Sequence, residues 1–64
     1  MDPNATLRAL DEAIDERNRD ESGFLVKELS RWIASGGFEP EWWRYPRAAA
    51  YYAARVPGRP ITSL

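Results

Sequence analysis

The chain predicts a small all-α protein, a three-helix domain made of an antiparallel helix hairpin and a third helix rich in Ala and Tyr. Three observations lead there. Apolar residues recur at helical spacing in two separate stretches, at Leu7, Leu10 and Ile14 and at Leu25, Val26, Leu29, Trp32 and Ile33. A third stretch, Ala48 to Ala54, consists largely of strong helix formers. No segment shows the apolar–polar alternation of a half-buried strand. At 64 residues the chain makes one domain, expected over residues 1–60 with a loose tail at 61–64. A domain of this size buries only about 60% of the surface its unfolded chain exposes.

The first helix is expected at about residues 3–17. Asp2 is a good N-cap, and Pro3 suits the first helical position, where its missing N–H has no intrahelical partner to lose. The outer face carries Arg8, Asp11, Glu12, Asp15 and Glu16. Asp11 with Asp15 and Glu12 with Glu16 are like-charge pairs four residues apart, each costing a few tenths of a kcal/mol. The polar run Asn18 to Gly23 reads as a turn, with Asp20 or Ser22 capping a second helix at about residues 21–35. In that helix Leu25, Val26, Leu29, Trp32 and Ile33 lie within about 120° of the wheel, a normal buried stripe. Phe24 falls off it.

Gly36-Gly37 ends the second helix. With Gly37 as the left-handed residue after the cap, Phe38 would meet Ile33 in the apolar contact of a Schellman ending. Pro40-Glu41-Trp42-Trp43 suits a single helical turn. Pro46 opens the third helix, expected at about residues 46–55, and Pro57-Gly58-Arg59-Pro60 closes it.

The stretch from Trp32 to Tyr45 holds all three tryptophans, and is expected to supply much of the core. Trp32, Phe38 and Trp42 are candidates for burial. Trp43, Arg44 and Tyr51 are candidates for exposure, because adjacent tryptophans rarely both point inward.

Composition narrows the chemistry. There is no Cys and no His, so disulfides, thiolate metal sites and the usual neutral-pH general base are all excluded. The carboxylates of the first helix lack a loop and a glycine in the position an EF-hand requires, and they read as a solvated face. Ser22, Ser30, Ser35 and Ser63 have no activating partner beyond Lys27, and no glycine-rich elbow accompanies any of them. The chain is therefore expected to be no enzyme and to need no cofactor or metal. A helix-turn-helix reading fails on the second helix, which opens Glu21-Ser22-Gly23-Phe24 with no arginine or asparagine to meet bases. No apolar run approaches a membrane span. The acidic N-terminus is unlike a signal peptide, so a cytoplasmic setting is expected.

The net charge of -1 conceals an asymmetry. Residues 1–30 carry eight acids and four bases, whereas residues 31–64 carry two acids and five bases. Arg47 or Arg55 is expected to approach the acidic first helix. Trp42, Trp43, Arg44, Tyr45, Arg47, Tyr51, Tyr52, Arg55 and Arg59 mix cations with flat rings. Such a mixture suits a protein interface, where Trp, Tyr and Arg dominate the binding energy. It also suits single-stranded nucleic acid, with bases stacked on rings and arginines on phosphates. The low pI and lack of a lysine-rich patch weigh against that second use. The expected contact surface is Trp43, Arg44, Arg47, Tyr51 and Arg55, used on a protein partner. A single-stranded nucleic acid, or a second copy in a homo-oligomer, is the alternative.

These residues resemble a loose group of short helical proteins from actinobacteria and their phages. Its pattern is an Asp-Pro-Asn start, an acidic turn, and a second helix ending Leu-x-x-Trp-[Ile/Leu]-x-x-Gly-Gly-Phe-x-Pro, often followed by Trp. The matching residues are Asp2-Pro3-Asn4, Leu29, Trp32-Ile33, Gly36-Gly37-Phe38, Pro40 and Trp42 or Trp43. The resemblance covers about the first two thirds of the chain, and the third helix departs from it. It implies a cytoplasmic bacterial or phage setting, and the role expected of the chain is that of a phage-type accessory or inhibitory protein docking on a host or self protein. No activity and no site residues come with it.

Overall fold

The structure, a computed structural model, describes residues 1–56. The elements are α1 (Pro3–Asp15), α2 (Arg19–Ala34), a 3-10 turn (Trp42–Arg44) and α3 (Pro46–Arg55). This is the expected small all-α three-helix domain. No strand occurs among the described residues. The closing segment Pro57 to Pro60, Arg59 within it, and the tail 61–64 lie outside those residues.

Asp2 caps α1 as expected, its carboxylate accepting from the N–H groups of Asn4 at 3.0 Å and Ala5 at 3.3 Å. The helix stops at Asp15, two residues short of the expected Arg17. Arg17 instead adopts φ 58°, the left-handed conformation. Its N–H donates to the Ile14 carbonyl at 3.0 Å, and the Asn18 N–H donates to Ala13 at 2.9 Å. These two bonds are a Schellman ending with arginine where glycine is usual. A side chain in that backbone region costs roughly 1–2 kcal/mol.

Asn18 then serves both helices. Having closed α1, it caps α2 by accepting from the Glu21 N–H at 3.1 Å. The expected caps, Asp20 and Ser22, are both inside the helix. The reason is geometric: the Schellman turn leaves Asn18 extended, with its side chain already over the next helix start. Asp20 and Glu21 then fall in the first turn, where acids complement the helix dipole. Ser22 is buried, and its hydroxyl donates to the Asn18 carbonyl at 2.8 Å.

At the other end of α2 the expected register is wrong by one residue. Gly36, not Gly37, has the left-handed φ of 96°. Gly36 N–H donates to Ile33 at 3.1 Å, and Gly37 N–H donates to Trp32 at 3.0 Å. Gly37 is needed for a different reason. A Cβ there would stand 2.3 Å from Cε2 of Trp32, whose ring lies across the glycine. The indole N–H reaches over to the Phe38 carbonyl at 2.9 Å, and the Phe38 ring meets it edge-on at 5.8 Å. The partner of Phe38 is therefore Trp32, not Ile33.

The core is aliphatic with one aromatic. Leu7, Leu10 and Ala13 of α1 meet Leu25, Val26 and Leu29 of α2, and α3 adds Ala48 and Tyr52. Fully burying one such leucine contributes about 1.5–3 kcal/mol. The tryptophan-rich segment thus supplies less of the core than expected. Trp32 and Trp42 are half-buried, Phe38 is 64% exposed, and Trp42 and Tyr45 only flank the cluster. Leu7, Leu10, Leu25, Val26, Leu29 and Tyr52 make up most of the buried cluster, and the remaining rings pack around it or face water. Phe24, off the stripe, is exposed.

Candidate interaction groove

The placement of the 3-10 turn begins at the opposite end of the chain. Asn4, in the first turn of α1, accepts from the backbone N–H of Glu41 at 2.7 Å, a bond spanning 37 residues. Asp2-Pro3-Asn4 and the Gly-Gly-Phe-x-Pro segment are thereby joined through space. Next to Glu41, Pro40 is buried.

From this anchor the two adjacent tryptophans diverge. Trp42 turns inward, its ring 4.9 Å from that of Tyr52, and its indole N–H donates to the Glu39 carboxylate at 2.9 Å. Trp43 turns outward and is 73% exposed. The ring is nonetheless held. The Arg44 guanidinium lies over it, 5.0 Å from the centroid, and Arg44 is itself ion-paired with Glu41. Asn4, Glu41, Arg44 and Trp43 form one chain of contacts from the start of α1 to the exposed ring.

α3 presents three faces. Ala48, Ala49 and Tyr52 point to the core. Burial pushes the Tyr52 phenol above its ordinary pKa, while the Ser30 hydroxyl acts in the opposite direction. At about 3.6 residues per turn, Pro46, Ala50 and Ala53 share one flank, whereas Arg47, Tyr51 and Arg55 share the other.

The first flank faces the 3-10 turn across an open groove. The groove has a volume of about 750 Å³ and is lined by Pro40, Glu41, Trp42, Trp43, Pro46, Ala49, Ala50 and Ala53. Trp43 stands at its side, and the alanines form its floor. Glu41 is its one charged lining residue.

The second flank is occupied by contacts within the domain. Arg47 reaches back to α1, with one guanidinium nitrogen 3.5 Å from Asp11 and another 3.4 Å from Asp15. The hydrogen bond to Asp15, then the charge of Asp11, hold the Arg47 guanidinium above its ordinary pKa. One cation thus offsets the like-charge pair on α1. Arg55 lies 3.5 Å from the centroid of the half-buried Tyr51 ring and donates to the Tyr51 carbonyl at 3.4 Å.

The five residues expected to form one contact surface are therefore divided. Trp43 lines the groove, and Arg44 lies over its ring. Arg47, Tyr51 and Arg55 sit on the far flank, bound to α1 or to one another. Sequence reasoning missed Asn4, Glu41 and the alanine floor. The signal for the floor was present, since residues 46, 49, 50 and 53 follow the i, i+3, i+4, i+7 spacing of one helix face and are all small or ring-closed.

A second, smaller cavity of about 380 Å³ lies between α2 and the end of α3, lined by Val26, Lys27, Ser30, Arg31, Ala34, Arg55 and Val56. Of its three cations, Arg31 has an acid 3.7 Å away in Glu28, and Arg55 is stacked on Tyr51. Among the described residues no cluster of three or more His, Cys, Asp or Glu side chains is placed to hold a metal ion. No helix among them is long and apolar enough to cross a membrane.

Comparison of the chain with family models, with curated proteins and with solved structures gives no match. The functional reading is accordingly built from the groove.

Proposed function

We propose that this domain is a non-catalytic protein-interaction module whose contact surface is the groove between the 3-10 turn and α3, with Trp43 as its anchor. The observation that carries the reading is the state of Trp43. It is 73% exposed, and the guanidinium of Arg44, itself ion-paired with Glu41, lies over its ring. A ring ordered before binding loses little side-chain freedom when a partner covers it. Tryptophan is also the residue most enriched among those that dominate interface energies. The groove beside it supplies apolar area that water leaves favourably. The surface expected from sequence thus contracts to Trp43 and Arg44 and extends to Ala50 and Ala53. The resemblance to short actinobacterial and phage proteins makes an accessory or inhibitory role in such a cell part of the proposal.

Single-stranded nucleic acid is the weaker reading. It needs cations interleaved with exposed rings. Here the one cation beside Trp43, Arg44, is already ion-paired with Glu41, while Arg47 and Arg55 are engaged on the far flank of α3. Salt discriminates between the two readings. Phosphate contacts make affinity fall steeply as salt rises, whereas a groove filled by apolar side chains responds little.

The test is site-directed photo-crosslinking in the cell of origin. A benzophenone side chain in place of Ala50 should give discrete protein adducts. The same group in place of Arg8, on the far side of the domain, should give none. Equal adduct patterns from both positions, or adducts from neither, would remove the groove as the binding face.

A further inference from the structure

We infer that the occupant of this groove is a second copy of the same chain, in a two-fold dimer that seats Trp43 of each copy on the Ala49, Ala50 and Ala53 floor of the other. The inference rests on the groove being the binding face and names what fills it.

A two-fold interface uses one patch twice, so the patch must carry both a projection and the recess that receives it. This patch does. Trp43 projects from the 3-10 turn, and the small side chains of α3 form the recess directly beside it. Alanines let a ring approach the helix backbone closely, and a tryptophan buries about 150–250 Å² on doing so. The volume of about 750 Å³ leaves ample room for the indole.

Charge points the same way. The one charged lining residue, Glu41, is ion-paired with Arg44 beside it, so two copies of this surface do not repel. The outer face of α1 keeps Glu12 and Glu16 side by side and would repel itself. A markedly acidic or basic partner would find no charge lining the groove that is not already paired, since Glu41 is held by Arg44.

The fold supplies the need for association. Ala13 and Ala48 contribute little to an already small core, while Trp43 is left in water. Chains of this length commonly gain stability by covering such surface with another copy.

The interface is small, so the dimer belongs to the weak class that buries less than about 1,200 Å² in total. Sedimentation equilibrium should therefore run from about 10 µM to about 1 mM chain, which brackets affinities of that class. The wild-type mass is expected to rise from that of the 7.3 kDa chain towards twice that value. Trp43→Ala should weaken association by about 30-fold or more, as loss of an anchoring tryptophan does. Ala53→Arg, an exposed and helix-compatible change, should do the same by filling the floor. In a mixed labelled and unlabelled sample, intermolecular NOEs should link the Trp43 indole to the methyl groups of Ala50 and Ala53.

A wild-type chain that stays monomeric at about 1 mM overturns the dimer. So does a dimer that neither variant weakens, because it would use another face. Photo-crosslinking keeps the two claims apart. Adducts at Ala50 to a different protein, with a monomeric chain, overturn the dimer and leave the groove reading standing. No adducts and no dimer overturn both.

Discussion

The two flanks of α3 are built from the same ten residues and end in opposite conditions. On one, Arg47 neutralises Asp11 and Asp15, and Arg55 lies on Tyr51, so each cation has a partner within the domain. On the other, Ala50, Ala53 and Trp43 border a groove that nothing in the described residues fills. Three of the five residues that the sequence offered as a contact surface, Arg47, Tyr51 and Arg55, lie on the charged flank, because cations and rings are the usual signature of an interface. Yet a charge that is already paired has less to offer a partner. The difference teaches that what remains unsatisfied after folding is a better guide to binding than residue type.

Tyr52 is the ridge that separates the flanks, and removing it should break both. It is 1% exposed, packs on Trp42, and belongs to the core. Tyr52→Ala should cost about 3–5 kcal/mol, as for other large buried aromatics. A chain of this size has little more than that in hand, so far-UV circular dichroism should show no cooperative melt. A melt near that of wild type would mean that the flanks stand independently of the ridge.

Next in size is Gly37→Ala. The new methyl would stand where the Trp32 ring lies, so the ring must leave and its bond to the Phe38 carbonyl is lost. A cost of about 1–3 kcal/mol is expected, read as a lower midpoint in urea at unchanged slope. Association through Trp43 should survive, because this half of the aromatic segment serves the fold. Loss of association without loss of stability would contradict that division.

Arg17→Gly should act in the opposite direction and by less. Glycine relieves the left-handed strain at the end of α1, a gain of about 1 kcal/mol that raises the melting midpoint by about 4–8 °C. An unchanged midpoint would mean that Arg17 carries no strain. The smallest effect is expected at Arg47→Met. Its pairs with Asp11 and Asp15 are long and solvated, so the melting midpoint should fall slightly in low salt and match wild type in high salt. A large, salt-independent loss would show the charged flank to be a second core.

How much of this was legible in the sequence differs from element to element. The helices were, because Leu7, Leu10, Leu25 and Leu29 recur at a spacing only a helix brings to one face. That an arginine of α3 would reach α1 was legible too, from the charge difference between the two halves, although nothing in the sequence chose Arg47 over Arg55. The divergence of Trp42 and Trp43 followed from their adjacency. The turns were less readable. Either glycine of Gly36-Gly37 suits a left-handed residue, and nothing local says that the Trp32 ring will lie over the second. Arg17 gives no hint that it will take a conformation that favours glycine. The groove was hidden most deeply. Its floor reads as helix propensity alone until the 3-10 turn is set opposite it, and that turn is held by Asn4, a residue 37 positions away from Glu41.

The central claim is that the Trp43 ring is surplus to the fold and reserved for a partner. Thermal unfolding of Trp43→Ala, followed by far-UV circular dichroism at dilution where wild type is monomeric, tests it most directly. A surface change of this kind costs less than about 0.5 kcal/mol, so the midpoint should lie within about 4 °C of wild type. A fall of about 10 °C or more would place Trp43 among the residues that hold the domain together and would contradict the claim.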